Sequence, residues 1–277
     1  MPAITKKQQA LVTNLYINKC TNLAEIARRT KLSRPTVRKI LRQEGLRDVK
    51  KSDIDNSAYL NKNMFDAIND EASAYFLGLL YADGNVYLRK TNDIPTISLT
   101  LQERDKHILD TFRKLIAPKH SLYLKSAKID TQQDQYKLAF SSQVIGDQLQ
   151  QLGCIPRKSL KLTFPTNISP NLIRHFVRGY FDGDGCISFY RHKNGYRAYL
   201  ASFASTKTFC KELGLLFDNI GLTYGIYTRK SNGITSELVV GGNQQVLTLL
   251  VWMYNDAKYF IKRKRDKYTE LQQLYDH

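Results

Sequence analysis

Two short stretches put carboxylates where a helix ordinarily avoids them. "YFLGLLYADG" runs from Tyr75 to Gly84, and "FVRGYFDGDG" runs from Phe176 to Gly185. Each reads as an apolar, glycine-centred helix that ends in Asp-Gly, at Asp83 and at Asp184. The C-terminal end of a helix already carries partial negative charge, so an acidic residue there is unfavourable unless the charge itself is wanted. Small residues fall four apart in each stretch, Gly78 with Ala82 and Gly179 with Gly183, and so share one helix face. Such faces let two helix backbones come close. Packed on each other, the two helices would bring Asp83 and Asp184 side by side, and their repulsion calls for a cation between them. Hard oxygen ligands suit Mg²⁺, with Mn²⁺ as a substitute.

The elements around these stretches repeat. After the first acidic helix, strands are expected at 85–90 and 94–102, a helix near 104–117, strands at 121–126 and 134–140, and a helix near 142–152. The second half repeats the order: strands near 185–192 and 196–204, a helix near 206–220, strands near 224–230 and 235–240, and a helix near 243–255. "TISLTL" alternates, with Ile97, Leu99 and Leu101 on one face and Thr96, Ser98 and Thr100 on the other. The expected class is α+β: two pseudo-symmetric α-β-β-α-β-β-α repeats, at 64–165 and 166–277, each with one sheet face under helices and one polar face open.

Ahead of the repeats, residues 1–46 read as three helices. "TKKQQALVTNLYINK" spaces Leu11, Val12, Leu15 and Tyr16 helically, and Leu23, Ile26 and Ala27 stripe a short second helix. Ser33 is placed to cap a third helix, with Pro35 in its first turn and Val37, Ile40 and Leu41 on its buried face. Arg34, Thr36, Arg38, Lys39 and Arg42 then face outward. Short helix, tight turn and basic helix look like a helix-turn-helix, whose second helix enters the major groove of DNA. The polar, aperiodic segment 47–63 reads as a linker, with Lys50 and Lys51 able to follow phosphates.

Composition agrees with a polyanionic partner. Forty-two Lys and Arg oppose 25 Asp and Glu, a formal net charge of +17 with a pI near 9.6. The sequence contains neither a basic amphipathic helix with an aromatic face nor an apolar run of spanning length, so no membrane role is expected. The N-terminal stretch lacks the apolar core of a secretory signal, which leaves a cytoplasmic or organellar setting. Cys20, Cys154, Cys186 and Cys210 follow no metal-ligand spacing and are expected to be reduced.

With these features assembled, the sequence resembles the LAGLIDADG homing endonucleases, in the form that carries two motifs in one chain. The motif positions read "FLGLLYADG" at 76–84 and "VRGYFDGDG" at 177–185, and both keep the third-position Gly and the final Asp-Gly. The resemblance implies that Asp83 and Asp184, with the carbonyls of Ala82 and Gly183, bind catalytic metal. It implies a basic residue per half near the scissile phosphates, here Lys158 in "IPRKS" and Lys264 in "IKRKR". It implies a polar residue after each second strand that orients water, aligned here as Glu103 and Ser205. Asp182 matches Tyr81 in the other motif and takes a secondary place. The implied activity is metal-assisted hydrolysis of both strands of a long pseudo-palindromic or asymmetric DNA target by a monomer, leaving short 3′ overhangs. Tyr87, Arg89, Ser98, Thr100, Gln102, Ser188, Tyr190 and His192 stand as readers of bases or phosphates on the open sheet faces.

Other signals carry less. "GIY" at 225–227 lacks the companion segment of another nuclease class, and "DGDG" at 182–185 lacks the later ligands of a calcium loop. The chain ends hold no splice-junction Cys, Ser or Asn, so a free-standing protein is expected instead of an intein. Two other functions share the scaffold: a non-cleaving transcription regulator, and an RNA maturase.

Overall fold

The computed structural model describes residues 4–19, 23–44, 46, 59–89, 92–127, 133–155, 160–193, 195–228 and 235–275. The chain forms two compact units, Met1–Ala58 and Tyr59–His277. Among the described residues, no helix is long and apolar enough to cross a membrane.

The first unit holds α1 (Lys6–Lys19), α2 (Leu23–Thr30) and α3 (Arg34–Gln43) around Val12, Leu15, Ile26, Val37, Ile40 and Leu41. Leu11, expected in the α1 stripe, is exposed, and the stripe runs through Val12, Leu15 and Tyr16 instead. Three residues turn the chain from α2 into α3, with Lys31 in the left-handed region at φ 55. Ser33 caps α3 by accepting a hydrogen bond from the Thr36 amide at 3.3 Å. Gly45, Lys50 and Lys51, with most of the expected linker, lie outside the described residues.

The second unit is a doubled α+β arrangement. Its first half runs α4 (Glu71–Asp83), β1 (Gly84–Arg89), β2 (Asn92–Gln102), a 3₁₀ turn at Glu103–Asp105, α5 (Lys106–Ile116), β3 (Tyr123–Lys125), β4 (Gln135–Ser141) and α6 (Gln143–Gln151). Its second half runs α7 (Pro170–Asp184), β5 (Gly185–Arg191), β6 (Arg197–Thr206), α8 (Lys207–Asn219), β7 (Gly225–Thr228), β8 (Thr235–Gly241) and α9 (Asn243–Tyr254). Both sheets are antiparallel and share one order, β1-β2-β4-β3 and β5-β6-β8-β7. Asp70 and Ser73 form a reciprocal cap on α4, and Pro170 opens α7.

Three expectations change. A final helix, α10 (Lys262–Gln273), follows α9 and buries Lys264, Tyr268 and Leu271. Ser98 is 4% exposed and Thr96 is fully buried. Both sit on the central strand β2, where Thr96 lies opposite Tyr87 and Ser141, and Ser98 opposite Asn85 and Ala139. Alternation alone reads these two positions as open, and the folded chain closes them. Finally, Gly84 lies opposite Leu99, but Gly185 lies opposite Phe203. The longer β5–β6 connection shifts the register, so the structural partner of Ser205 is Leu101 and that of Glu103 is Lys207.

The centre of the unit is the crossing of α4 and α7. A Cβ added at Gly78 would run into the carbonyl oxygen of Phe176 and lie 2.8 Å from the amide of Tyr180. A Cβ at Gly179 would run into the carbonyl oxygen of Tyr75 and lie 3.0 Å from the amide of Leu79. Backbone meets backbone on both sides, as the small-residue faces anticipated. Because the obstructing atoms belong to main chain, neither helix can yield by a rotamer change. Gly78→Ala or Gly179→Ala is expected to destabilise this unit by about 2–3 kcal/mol or more, read as a drop in the urea midpoint. A midpoint unchanged in both variants would refute the close crossing.

Candidate functional site

The crossing delivers the two acidic ends to one place. A Cβ at Gly183 would meet the Ala82 methyl and lie 2.9 Å from Asp83 Oδ2, so the Asp83 carboxylate lies over the end of α7. Asp83 and Asp184 are exposed, with Ala82 half-buried and Gly183 between them. Both carboxylates act on one phenol: burial first, and then Asp184 and Asp83, push the Tyr180 hydroxyl upward. That hydroxyl donates to the Ala204 carbonyl at 2.7 Å. Nearby on β6, Ser205 is buried and its hydroxyl acts on the Tyr180 phenol, whereas Gln102 Oε1, at the end of β2, has no hydrogen-bond partner among the described residues.

Lys264 underlies this end of the unit. It is 4% exposed, and its Nζ donates to the Phe181 carbonyl and, at 2.6 Å, to the Gly185 carbonyl. The ammonium thus closes the C-terminal turn of α7, where orphan carbonyls and partial negative charge collect. Burial lowers its pKa to about 8, against the pull of Asp182 and Asp83. Sequence reasoning placed Lys264 beside a phosphate; in the folded chain its head is occupied by main-chain oxygens. Lys158, its expected counterpart, lies outside the described residues.

Asp182, given a secondary place by the sequence, is fully buried and accepts three hydrogen bonds: from Tyr75 OH at 2.7 Å, Tyr254 OH at 2.5 Å and the Ile261 amide at 2.7 Å. Burial raises its pKa, while Lys264 and the three donors oppose the rise. Arg178, also fully buried, donates to the Tyr259 carbonyl at 2.8 Å, the Met253 carbonyl at 2.7 Å, His175 Nδ1 at 2.9 Å and Glu71 at 2.7 Å. In the first repeat, Tyr81 stands in the place of Asp182, and its hydroxyl donates to the Leu152 carbonyl.

The remaining residues fall in three groups. Glu103 is exposed on the 3₁₀ turn, and its amide donates to the Asp134 carbonyl at 2.8 Å. Ser188, Tyr190 and His192 are exposed along β5 and its turn, with the Tyr190 and His192 rings 4.4 Å apart. Thr100, Gln102 and Tyr87 are half-buried, and the Arg89 side chain lies outside the described residues. On α3, Arg34, Arg38, Lys39 and Arg42 are exposed, whereas the Thr36 hydroxyl is engaged with Ser33 Oγ at 2.7 Å.

Among the described residues, no group of three or more His, Cys, Asp or Glu side chains gathers as a metal cage. Two exposed carboxylates with adjacent carbonyls still fit Mg²⁺, which keeps several waters and takes one or two carboxylates.

Residues 171–249 match the LAGLIDADG-like domain. The chain carries that match in its second repeat, from α7 into α9. It is 25% identical over 205 residues to an uncharacterized protein of Methanocaldococcus jannaschii, covering 71% of each chain. Solved structures of LAGLIDADG homing endonucleases share the fold. I-LtrWI bound to target DNA matches with a TM-score of 0.50 and 15% identity, over 78% of this chain and 91% of that one. I-SmaMI bound to cleaved DNA matches with a TM-score of 0.51 and 13% identity, over 75% of this chain and 89% of that one. The two repeats thus have the architecture of LAGLIDADG homing endonucleases.

The buried cluster at the crossing has a pH consequence. Burial, then the Arg178 guanidinium, push the His175 imidazole down to about 4, against Glu71 and with a further push from Arg174. Unfolded, the same group titrates near 6.5. Between these values the unfolded chain holds a proton that the folded chain does not, so stability from this group falls as pH drops from about 6.5 towards 4. His175→Gln is expected to remove that part of the slope. Urea midpoints at pH 7.5 and pH 4.5 test it, since wild type should lose more stability than the variant, and equal losses would contradict the assignment.

Proposed function

We propose that this chain is a site-specific, metal-dependent DNA endonuclease of the homing type, cutting both strands of a long double-stranded target and leaving short 3′ overhangs. The observation that carries this reading is the convergence of Asp83 and Asp184 at the joined ends of α4 and α7. A divalent ion such as Mg²⁺, held by Asp83 and Asp184 with the Ala82 and Gly183 carbonyls, would supply water activation and stabilisation of the leaving oxygen. The chain's own groups set the surroundings. Lys264 offsets the helix-end charge beneath the acidic pair, and Gln102 offers an oxygen that would accept a hydrogen bond from water. Lys158 and Glu103 keep the roles the resemblance implies, near a phosphate and near water.

DNA binding rests on the charge of +17 and on the exposed strand residues. Ser188, Tyr190, His192, Thr100, Gln102 and Arg89 are proposed readers of bases or phosphates. In the first unit, α3 acts as the recognition helix of a helix-turn-helix. Arg38, Lys39 and Arg42 line one hollow of about 470 Å³ on it, with Pro35 and Gln43.

A cleavage screen against a randomised duplex library tests the enzyme reading. Defined double-strand ends are expected with Mg²⁺ and not with Ca²⁺. Asp83→Asn with Asp184→Asn should lower the rate by about two to three orders of magnitude. Enrichment of one sequence without cutting would favour the transcription regulator, and preferential binding of structured RNA would favour the maturase.

For the first unit, replacing Arg38, Lys39 and Arg42 together by Ala should weaken DNA binding. It should also flatten the dependence of log K on log salt by about 2–3 units, roughly 0.9 per lost phosphate contact. An unchanged slope would remove α3 from the DNA interface.

A further inference from the structure

The second repeat holds Lys264 through a chain of contacts that begins at Asp182. The Ile261 amide donates to Asp182 Oδ2, while the Ile261 carbonyl accepts from the amides of Lys264 and Arg265 at 3.0 and 3.2 Å and so starts α10. The backbone of one residue is therefore pinned to α7 through its amide and starts a helix through its carbonyl. Lys264 lies three residues on, over the same helix face as Ile261, and its side chain runs back to the Phe181 and Gly185 carbonyls. Tyr75 and Tyr254, both fully buried, donate two further hydrogen bonds to the Asp182 carboxylate. The segment between α9 and α10 is clamped upstream as well. Arg178 holds the Met253 and Tyr259 carbonyls, and Glu71 accepts the Lys258 and Tyr259 amides at 2.7 and 3.3 Å.

We propose that Asp182 is a positioning residue for Lys264: it locks the start of α10 against the last turn of α7, so that the second-repeat half of the acidic site depends on a tie that Tyr81, at the matching motif position, does not make among the described residues. The two motif positions differ, since Tyr81 occupies the corresponding place in the first repeat and makes one hydroxyl-to-carbonyl bond to Leu152. The lock itself is independent of what the site does. Its consequence for cleavage rests on the endonuclease reading: loss of Asp182 slows one strand, the one whose cutting needs Lys264, and leaves the other.

Two measurements test the proposal on the full chain. In the first, amine acetylation is followed lysine by lysine by mass spectrometry, with exposed Lys262 as the internal reference. Lys264 should resist the reagent in wild type, and in Asp182→Asn its labelling relative to Lys262 should rise about tenfold or more, as expected when a local closed state is lost. Equal protection in both proteins would overturn the lock. If Asp182→Asn does not fold, Tyr75→Phe with Tyr254→Phe removes two of the three donors, keeps the carboxylate and is read in the same way.

In the second, both strands of a duplex recovered from the library screen are end-labelled. Lys264→Met identifies its strand. Asp182→Asn should slow that same strand about tenfold or more, in keeping with the cost of a misplaced group near a reacting centre. It should add nothing further in the Lys264→Met background. Equal slowing of both strands, the signature of a general structural defect, would overturn the positioning role. Wild type that cuts no duplex, alongside a Lys264 that becomes reactive in Asp182→Asn, would sink the endonuclease reading and uphold the lock.

Discussion

Everything in the larger unit depends on two helix backbones touching at Gly78 and Gly179. The approach is set by main-chain atoms, which leave no room for a side chain and no freedom to slide. It fixes the crossing point, and the equal spacing from each Gly to each Asp then fixes where the helices end together. Each helix passes directly into an edge strand, β1 from Asp83 and β5 from Asp184, so the same contact also sets where the two sheets begin. Fold and candidate site are consequences of one steric constraint.

That constraint creates an electrostatic difficulty. Two helix C-termini and two carboxylates converge, and each raises the cost of the others. The chain answers with cations of its own. Lys264 closes the end of α7, and Arg178 sits farther along the same helix, satisfied by four acceptors. Burying a guanidinium is costly unless its hydrogen bonds are met, and here four of its five N–H donors reach Glu71, His175 or a carbonyl. The neutral His175 follows from that arrangement, because a ring that accepts from Arg178 at Nδ1 has no use for a second positive charge there. The ionic groups therefore do two things: they offset charge at the site, and they tie the α9–α10 connection to both motif helices.

Much of this was legible in the sequence because it depends on local chemistry. Glycines four residues from small residues, Asp-Gly endings and a doubled strand-helix order gave the crossing, the paired acids and the two sheets. Ser33 and Val37, Ile40 and Leu41 likewise marked α3. The failures share a cause: they depend on what lies across space. Ser98 alternates like an open-face residue, yet it is buried on the central strand β2, between β1 and β4. Glu103 was aligned with Ser205 at a nearly constant offset from the acidic residues, but the longer β5–β6 connection moved the register. The doubled order of strands and helices does not call for α10, although Ile261, Lys264, Tyr268 and Leu271 form a helical stripe in "IKRKRDKYTELQQL" that could have been found. Lys264 in that stripe looked wrong for a core position, and it is buried only because α7 presents carbonyls to it.

The role of Asp182 was harder still to see, and the reason bears on how a fused pair of repeats can diverge. In a symmetric dimer, any residue at a motif position appears twice, so a buried carboxylate would need two complete sets of donors. In one chain the two positions are free to differ. The first repeat carries Tyr81, which supplies its own hydroxyl to Leu152 and closes the contact with a single bond. The second carries Asp182, which is tolerable only because Tyr75 reaches it from the first repeat and Tyr254 and Ile261 reach it from the second. Its three donors come from three separate segments, so no local pattern around "DGDG" could announce them. A carboxylate this demanding specifies its surroundings closely. The backbone symmetry of the two halves thus coexists with different wiring beneath their acidic ends, and that difference, more than the shared fold, distinguishes one half of the site from the other.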